Sequence, residues 1–210
     1  TGQTRLVSIY PASSSGTPAE QLKYRFQWTS PIATSPHDPQ VIYHGGNVLF
    51  RTRDRGATWQ AISGDLTRND RTKQQWSGGP ITGDMTGVET YGTIFSIAES
   101  YAAAGVIWAG SDDGLVHVSR DAGTNWADVT PRGLPVNATI ESIETSRREA
   151  GTAYVVAHNY RLDDFKPYLY RTRDFGKTWQ ALTEGLPADL PLWVVREDPA
   201  DPDYLYLGTD

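Results

Sequence analysis

The pattern Ser/Thr-x-Asp-x-Gly-x-x-Trp occurs three times in this chain, and its repetition limits the fold more than any other feature. The copies occupy residues 52–59, 119–126 and 172–179. A short apolar run precedes each copy and a second one follows it. A strand, an Asp-x-Gly turn and a second strand form a hairpin, so the repeat predicts three β-hairpins.

Further apolar segments lie upstream of each hairpin and extend the repeat to four strands. Residues 35–43 closely match residues 198–206, because both are a Pro-containing turn followed by an apolar strand. Another apolar run precedes each such strand, and we predict inner strands at residues 25–28, 94–98, 140–143 and 192–195. Four short strands in a unit of about 40–50 residues are typical of a propeller blade. The predicted fold is therefore an all-β propeller of four-stranded antiparallel blades, with about 3.5 blades in this chain.

The pattern predicts one continuous propeller domain that contains complete blades at residues 25–63, 93–130 and 139–183. Residues 1–24 are predicted to be the end of a preceding blade and a linker, and residues 64–92 an inserted loop. Residues 191–210 are predicted to be the first half of a further blade. Residues 4–9 are predicted to be the outer strand of the preceding blade. The amino terminus lacks an initiator Met, and we expect a chain processed or excised from a longer protein. A broken ring exposes apolar surface, so the expected partners are further blades, from the parent protein or from another copy of the chain.

Composition excludes several classes of function. The net charge is −6 and no run of Lys and Arg exceeds two residues, which argues against binding to nucleic acid or anionic lipid. The chain has no Cys, which excludes disulfides and thiolate metal sites. No segment approaches the ~20 apolar residues of a membrane span. No spacing of His residues indicates a metal site, and the sequence predicts no cofactor.

The three motifs resemble Asp-box repeats, which are also called bacterial neuraminidase repeats. The second copy departs from the pattern, because Asn125 stands where the other copies have Thr58 and Thr178. The sequence around residues 109–114 is similar to large bacterial propellers of the sortilin-like and xyloglucanase-like kind. This resemblance implies a secreted or periplasmic protein. Sialidase activity is not expected, because the Arg-Ile/Leu-Pro motif that sialidases carry ahead of the first Asp box is absent.

The Asp-box residues are predicted to stabilise the fold, although three carboxylates in similar turns also suggest a catalytic interpretation. An Asp in a tight turn accepts hydrogen bonds from backbone N–H groups two or more residues on, and the Gly supplies a positive φ. The Trp is expected to pack against the hairpin. In the proteins that the chain resembles, these boxes lie away from the active face. The structural set is Asp54, Gly56, Trp59, Asp121, Gly123, Trp126, Asp174, Gly176 and Trp179.

A ligand site is expected on the face where the loops between second and third strands converge. Acidic residues recur in those loops, and Asp112 and Asp113 are the catalytic candidates. The resemblance to xyloglucanase-type hydrolases implies a catalytic Asp in a Ser/Thr-Asp-x-Gly turn, which is Asp112 or Asp210. Glycoside hydrolysis needs two carboxyl groups about 5–10 Å apart, so adjacent aspartates form the pair only if one turns away. The alternative is that Asp-Gly simply forms the hairpin turn.

Further candidates for ligand binding on the same face are His44, Trp76, His158, Asp163 and Asp164. The two histidines occupy matching loops, where they could bind a ligand. The alternative is that their side chains are simply exposed to solvent. Trp76 lies in the polar insertion. It could stack on a sugar ring together with Tyr91 and Tyr101, or pack over the edge of a blade.

Two functions from different classes fit these residues. The first is a binding or scaffolding module that presents its loop face to a protein or a glycan, since no convincing catalytic pair is present. The second is part of a glycoside hydrolase of the xyloglucanase type. A more distant third is an assembly factor similar to the Asp-box propellers that help to build photosynthetic complexes. The sequence lacks the basic stripe that would support this third function.

Overall fold

The computed structural model describes residue 2 and residues 4–209. In this part of the chain, the strands form three four-stranded antiparallel sheets and one two-stranded sheet, each with its strands in chain order. Short 3-10 helices occur at Ala19–Gln21, Arg71–Lys73 and Tyr160–Leu162. Among the described residues, no helix has the length and apolar character that crossing a membrane requires. The predicted all-β propeller with four-stranded blades is confirmed.

The blades follow one another along the chain. Blade I comprises β1 (Ile32–Thr34), β2 (Ile42–Gly45), β3 (Leu49–Thr52) and β4 (Gln60–Ala61). Blade II comprises β5 (Ile94–Glu99), β6 (Ile107–Ser111), β7 (Val116–Ser119) and β8 (Ala127–Asp128). Blade III comprises β9 (Thr139–Thr145), β10 (Ala153–Asn159), β11 (Asp164–Thr172) and β12 (Gln180–Ala181). The two-stranded sheet comprises β13 (Leu192–Glu197) and β14 (Leu205–Thr209).

Two of the predicted strands are wrong. The sheet of blade I begins at Ile32 and not at residues 25–28, because Arg25 is buried and makes hydrogen bonds to the insertion. Residues 4–9 contain no strand, since no neighbouring strand pairs with their backbone. They nevertheless lie against the first Asp-box hairpin, where a β-carbon added to Gly56 would come within 2.5 Å of Val7 Cγ1.

Each Asp box closes its hairpin with short-range hydrogen bonds, as the first copy illustrates. Asp54 Oδ1 accepts bonds from the backbone N–H of Thr58 at 2.8 Å and from the Thr52 hydroxyl at 2.8 Å. The Thr58 hydroxyl donates to the other carboxylate oxygen at 2.7 Å. These donors favour the charged form and lower the pKa of Asp54 to about 2. Arg55 and Gly56 both have positive φ, which explains the Gly at that position.

The departure of the second copy from the pattern has a simple structural reason. The Asn125 side-chain amide donates to Asp121 Oδ2 at 2.7 Å, which is the bond that the Thr hydroxyl makes in the other two copies. The backbone N–H of Asn125 donates to Asp121 Oδ1 at 2.8 Å. The turn therefore keeps both bonds with a different donor.

The Asp-box tryptophans of blades II and III join their blade to the one before it. Trp126 Nε1 donates to the backbone carbonyl of Ile62 in blade I at 2.8 Å. Trp179 Nε1 donates to the carbonyl of Val129 in blade II at 2.7 Å. Both acceptors directly follow the outer strand of the preceding blade. These tryptophans thus fix how neighbouring blades pack, in addition to covering their own hairpins.

The core lies between the blades, and some blade pairs also share a buried polar contact. One apolar cluster joins blades II and III around Trp108, Ile140 and Val155. Tyr43 of blade I donates its hydroxyl to Glu99 of blade II at 3.0 Å. Tyr154 of blade III donates in the same way to Glu197 of the next sheet, at 3.3 Å. Burying each large apolar side chain contributes about 1.5–3 kcal/mol, so apolar packing is the main force between blades.

The insertion at 64–92 is attached to blade I through Arg25. The guanidinium donates to Asp65 at 2.8 Å, to the Thr67 hydroxyl at 3.0 Å and to the Gly92 carbonyl at 3.1 Å. Asn47 also donates to Asp65, at 2.8 Å. A buried cation is tolerated when it is paired and hydrogen-bonded in this way. These bonds hold both ends of the insertion close to the loop face of the propeller.

Candidate functional site

A pocket of about 510 Å³ opens on the loop face, between the insertion and blades II and III. We call it the loop-face pocket. The insertion, the connection between blades and the end of β10 all contribute to its walls. The pocket is lined by Gln27, Lys73, Glu89, Thr90, Tyr91, Phe95, Asp112, Asn137, Thr139, His158, Asn159, Arg161 and Leu162.

Asp112 lies directly after β6 at the wall of this pocket, with only 6% of its surface exposed. Its Oδ1 accepts hydrogen bonds from the backbone N–H groups of Gly92 at 3.0 Å and Thr93 at 2.8 Å. Its Oδ2 accepts from the Thr93 hydroxyl at 3.2 Å. Burial outweighs these bonds and raises the pKa of Asp112 to about 7. Asp112 therefore fixes the entry into β5 and also places a weakly acidic carboxyl at the pocket.

Asp113 is turned away from its neighbour. Its Oδ2 accepts a hydrogen bond from the backbone N–H of Arg68 at 2.8 Å, and its other oxygen accepts from the Ser111 hydroxyl. The Arg68 side chain also donates to the Asp113 backbone carbonyl at 2.7 Å. Burial raises the pKa of this carboxyl as well. Asp113 is not part of the pocket wall and instead anchors the insertion to blade II.

His158 reaches the pocket from β10, so it lies in a strand and not in the solvated loop considered above. The side chain is almost completely buried, and its Nε2 lies 3.1 Å from a carboxylate oxygen of Glu141. The ring also contacts Tyr160 and Trp193, with centroid separations of 4.9 and 4.5 Å. A carboxylate beside one ring nitrogen fixes the orientation of the imidazole.

The wall formed by the insertion is held by Asn137. Its side-chain oxygen accepts hydrogen bonds from Lys73 Nζ at 2.8 Å and from the Tyr91 hydroxyl at 2.9 Å. Lys73 also lies 5.1 Å from the centre of the Tyr91 ring, a cation–π contact. Asn137 itself has a left-handed backbone with φ of 71°. These contacts give the pocket a pre-formed wall that combines an aromatic ring with polar groups.

Two of the other predicted residues lie outside the loop-face pocket. His44 is in β2 and contacts Phe26 and Trp59 in a separate groove, where burial lowers its pKa. Trp76 is half exposed and covers Gly83, since a β-carbon there would come within 1.9 Å of its indole nitrogen. His44 therefore packs against aromatic rings in the separate groove, and Trp76 packs against the insertion itself.

The acidic residues after β10 also lie away from the pocket wall. Asp163 is exposed and has a left-handed φ of 58° at the end of a 3-10 helix. Asp164 accepts a hydrogen bond from the Tyr168 hydroxyl, which lowers its pKa. Asp210 lies outside the described residues. Of the predicted site residues, the structure therefore brings only Asp112 and His158 together at this pocket.

Of the two tyrosines considered for sugar stacking, only Tyr91 lies at the pocket. Tyr101 follows β5, at the other end of the blade, where it stacks against Arg147. Sequence reasoning missed Lys73, Glu89, Asn137 and Arg161. The only sequence signal for Lys73 and Glu89 was the charged and polar character of the insertion in which they lie.

The arrangement suits recognition of a polar ligand that has an apolar face. Tyr91 and Phe95 offer rings, and Asn137, Asn159 and Arg161 offer hydrogen-bond donors. Asp112 and Glu89 are two carboxyl groups on the same pocket. Among the described residues, no group of three or more His, Asp or Glu side chains is arranged to hold a metal ion.

Comparison with known proteins agrees with the fold. The model of the BNR/Asp-box repeat family matches residues 170–181. The chain carries the Asp-box blades of a β-propeller. Over 126 residues, or 59% of its length, it is 28% identical to an oligoxyloglucan reducing end-specific xyloglucanase from Emericella nidulans. The match covers 15% of that enzyme.

Solved structures with the same fold include glycoside hydrolases and a protein of another kind. An ancestral GH74 enzyme superimposes on 98% of the chain with a TM-score of 0.61 and 17% identity. The GH74 xyloglucanase from Xanthomonas campestris matches 85% of the chain with a TM-score of 0.54 and 19% identity. YCF48 from Cyanidioschyzon merolae matches 91% with a TM-score of 0.51 and 16% identity. The matches span 23%, 26% and 50% of those chains, respectively.

Proposed function

We propose that this chain is part of a larger extracytoplasmic Asp-box propeller and that it binds an oligosaccharide in the loop-face pocket. The further blades come from the same parent protein, which is consistent with the small share of the GH74 chains that the match spans. The similarity to a xyloglucanase makes β-glucans and xyloglucan the first ligands to consider. A protein ligand on the same face is the competing outcome.

The observation that carries this proposal is the composition of the pocket. Sugar rings pack their C–H faces on aromatic side chains, and their hydroxyl groups exchange hydrogen bonds with amide, hydroxyl and charged groups. The loop-face pocket presents Tyr91 and Phe95 beside Asn137, Asn159 and Arg161. The wall is pre-formed, since Asn137 holds both Lys73 and Tyr91, so less ordering is needed when a ligand binds.

Glycan binding can be tested with a matched pair of arginine variants. Arg161 lies on the pocket and makes no hydrogen bond to other described residues, whereas Arg132 is exposed outside it. Screening on a glycan array, followed by calorimetry on the best ligand, should show at least about fivefold weaker binding for Arg161→Ala and no change for Arg132→Ala. Binding that both variants retain would place the ligand elsewhere, and absence of any glycan binding would favour a protein ligand.

A second function, hydrolysis of the bound glycan, is favoured by Asp112. A carboxyl with a pKa of about 7 can be protonated near neutral pH and can therefore act as a general acid. Glycoside hydrolysis also needs a second carboxyl about 5–10 Å away, and Glu89 is the candidate on the same pocket. Release of reducing ends from xyloglucan should fall by about 100-fold or more in Asp112→Asn, with ligand affinity retained. Absence of cleavage by the wild-type protein leaves binding as the function.

A further inference from the structure

His158 lies on the loop-face pocket at a position that has an equivalent in each of the other two blades. In every blade, one residue of the second strand pairs with the Ser or Thr that begins the Asp box. In chain order, these residues are Ile42, Ile107 and Ala153. The residue five positions further along is Asn47 in blade I, Asp112 in blade II and His158 in blade III. The chain therefore presents three different side chains at one place in the fold.

In blades I and II, this side chain fixes the segment that leads to the inner strand. Asn47 Oδ1 accepts a hydrogen bond from the backbone N–H of Arg25 at 2.9 Å. Asp112 Oδ1 accepts from the backbone N–H groups of Gly92 and Thr93. Both side chains thus satisfy backbone donors that precede the inner strand of their own blade.

Blade III does not need a side chain for this purpose. The backbone of His158 pairs with Thr139, the first residue of β9, so the ladder itself holds the start of the strand. The backbone N–H of Ala138, the residue before it, donates to the Pro135 carbonyl at 3.1 Å. Among the described residues, the imidazole bonds to Glu141 and to no backbone group of this segment. The role that its two equivalents perform is therefore absent from His158.

Three side chains hold the imidazole of His158 in one orientation. Its Nε2 lies 3.1 Å from a carboxylate oxygen of Glu141, which is the extra residue of a β-bulge in β9. A bulge re-aims the side chain of the extra residue. Tyr160 and Trp193 lie against the ring, with centroid separations of 4.9 and 4.5 Å. The ring is almost completely buried, so these contacts leave it no freedom to turn.

The second ring nitrogen, Nδ1, is the atom that is left for a ligand. A neutral imidazole has one N–H donor and one acceptor nitrogen. The Glu141 carboxylate only accepts, so it places the proton of His158 on Nε2 and makes Nδ1 the acceptor. Nδ1 has no hydrogen-bond partner among the described residues, and it is not sealed from solvent as the Nδ1 atoms of His44 and His117 are. An oriented acceptor without a protein partner on a pocket wall is suited to binding a ligand.

We propose that His158 is a specificity-determining residue of the loop-face pocket, whose Nδ1 accepts a hydrogen bond from a hydroxyl group of the bound oligosaccharide. Glu141 is a positioning residue, because it acts on the ligand only through the imidazole. A ligand without a hydroxyl group at this point leaves a buried acceptor unpaired, and this costs affinity. The assignment rests on the proposed function, to which it adds the chemical group that the ligand must present.

Two substitutions of His158 separate the roles of its two nitrogens. In His158→Gln, the side-chain amide still reaches Glu141, but no acceptor stands where Nδ1 was. In His158→Asn, a carbonyl oxygen lies near that position and the side chain is too short to reach Glu141. Calorimetry with xyloglucan oligosaccharides and cello-oligosaccharides should show at least about fivefold weaker binding for His158→Gln, and a smaller loss for His158→Asn. His37→Gln is the control, since His37 is exposed and lies outside the pocket, and its affinity should equal that of the wild type.

The tautomer of His158 can be measured in the wild-type protein, which removes any dependence on the folding of a variant. NMR of isotope-labelled imidazole nitrogens above neutral pH should show a protonated Nε2 and an unprotonated Nδ1. Addition of xyloglucan oligosaccharides should shift the Nδ1 signal and leave Nε2 protonated. A protonated Nδ1 in the free protein would overturn the assignment.

The binding results separate this assignment from the proposed function. If xyloglucan oligosaccharides bind equally to the wild type and His158→Gln but more weakly to Arg161→Ala, the sugar occupies the pocket without His158. In that case only the assignment is overturned. If the wild type binds neither kind of oligosaccharide, the proposed glycan function fails and the assignment fails with it.

Discussion

The outer Asp-box hairpins and the loop-face pocket use the same residue type in opposite environments. The Asp54 carboxylate is exposed and accepts hydrogen bonds from residues within four positions of it, and its pKa is lowered to about 2. Asp112 is buried and accepts from residues 19 and 20 positions away, and its pKa is raised to about 7. A local turn therefore produces an aspartate that is fully charged at neutral pH, whereas a contact between distant segments produces one that titrates near neutral pH.

The largest effect is expected from Asp112→Ala. Its removal leaves the buried N–H groups of Gly92 and Thr93 without an acceptor, which should lower the free energy of unfolding by about 3 kcal/mol. Urea denaturation followed by fluorescence measures this change. Asp189→Ala, an exposed aspartate without hydrogen bonds among the described residues, is the control and should leave the midpoint unchanged. A similar midpoint for both variants would contradict the structural role of Asp112.

The second effect is a pH dependence of stability that Asp112 contributes. Because its folded-state pKa lies above the unfolded value of 3.8, the folded state binds more protons between about pH 4 and pH 7. The contribution is fully present below pH 4 and is lost as the pH rises through 7. We expect the free energy of unfolding of Asp112→Asn to lack this decline. Urea titrations at several pH values test it, and parallel curves for both proteins would show that Asp112 does not titrate in this range.

Asp54 should produce a smaller pH dependence of the opposite sign. Its folded-state pKa is lowered to about 2, so its stabilising effect is present above pH 4 and is lost as the pH falls toward 2. The Tm of the wild-type protein should therefore exceed that of Asp54→Asn by roughly 2 °C at neutral pH, and by less at pH 3. Differential scanning calorimetry gives both values. A Tm difference that grows on acidification would show that the pKa of Asp54 is not lowered, and the contrast with the raised pKa of Asp112 would then fail.

The smallest effect is expected from restoring Thr at the second Asp box. Asn125→Thr restores the hydroxyl donor of the other copies, so the Tm should change by less than about 1 °C. Asn125→Ala removes the donor and should lower the Tm by roughly 2 °C. If the two variants behave alike, the bond from the side chain at this position contributes nothing measurable.

The same difference between local and distant contacts explains what the sequence could predict. The Asp-box hairpins were predictable because their hydrogen bonds join residues at most four positions apart, so the pattern itself contains the geometry. The loop-face pocket was not, because its walls depend on contacts such as that between Lys73 and Asn137. Local patterns do not report such pairs.

Arg25 and His158 illustrate the two kinds of error. Residues 25–28 have the alternation of a strand, but Arg25 is buried by bonds to Asp65 and Thr67, which lie 40 and 42 positions away. His158 follows an apolar strand where a loop was expected, yet β10 extends to Asn159 because its partner β11 begins as early as Asp164. Strand ends are set by the partner strand, which the local sequence does not contain.

The contact that the Asp-box tryptophans of blades II and III make with the preceding blade has a consequence for how such proteins vary. The acceptor is a backbone carbonyl, at Ile62 in one interface and at Val129 in the other, so the bond does not depend on the acceptor's side chain. Any blade that ends in a strand of the same geometry offers the same acceptor. Duplication, loss or exchange of a whole blade therefore preserves this contact without a compensating substitution.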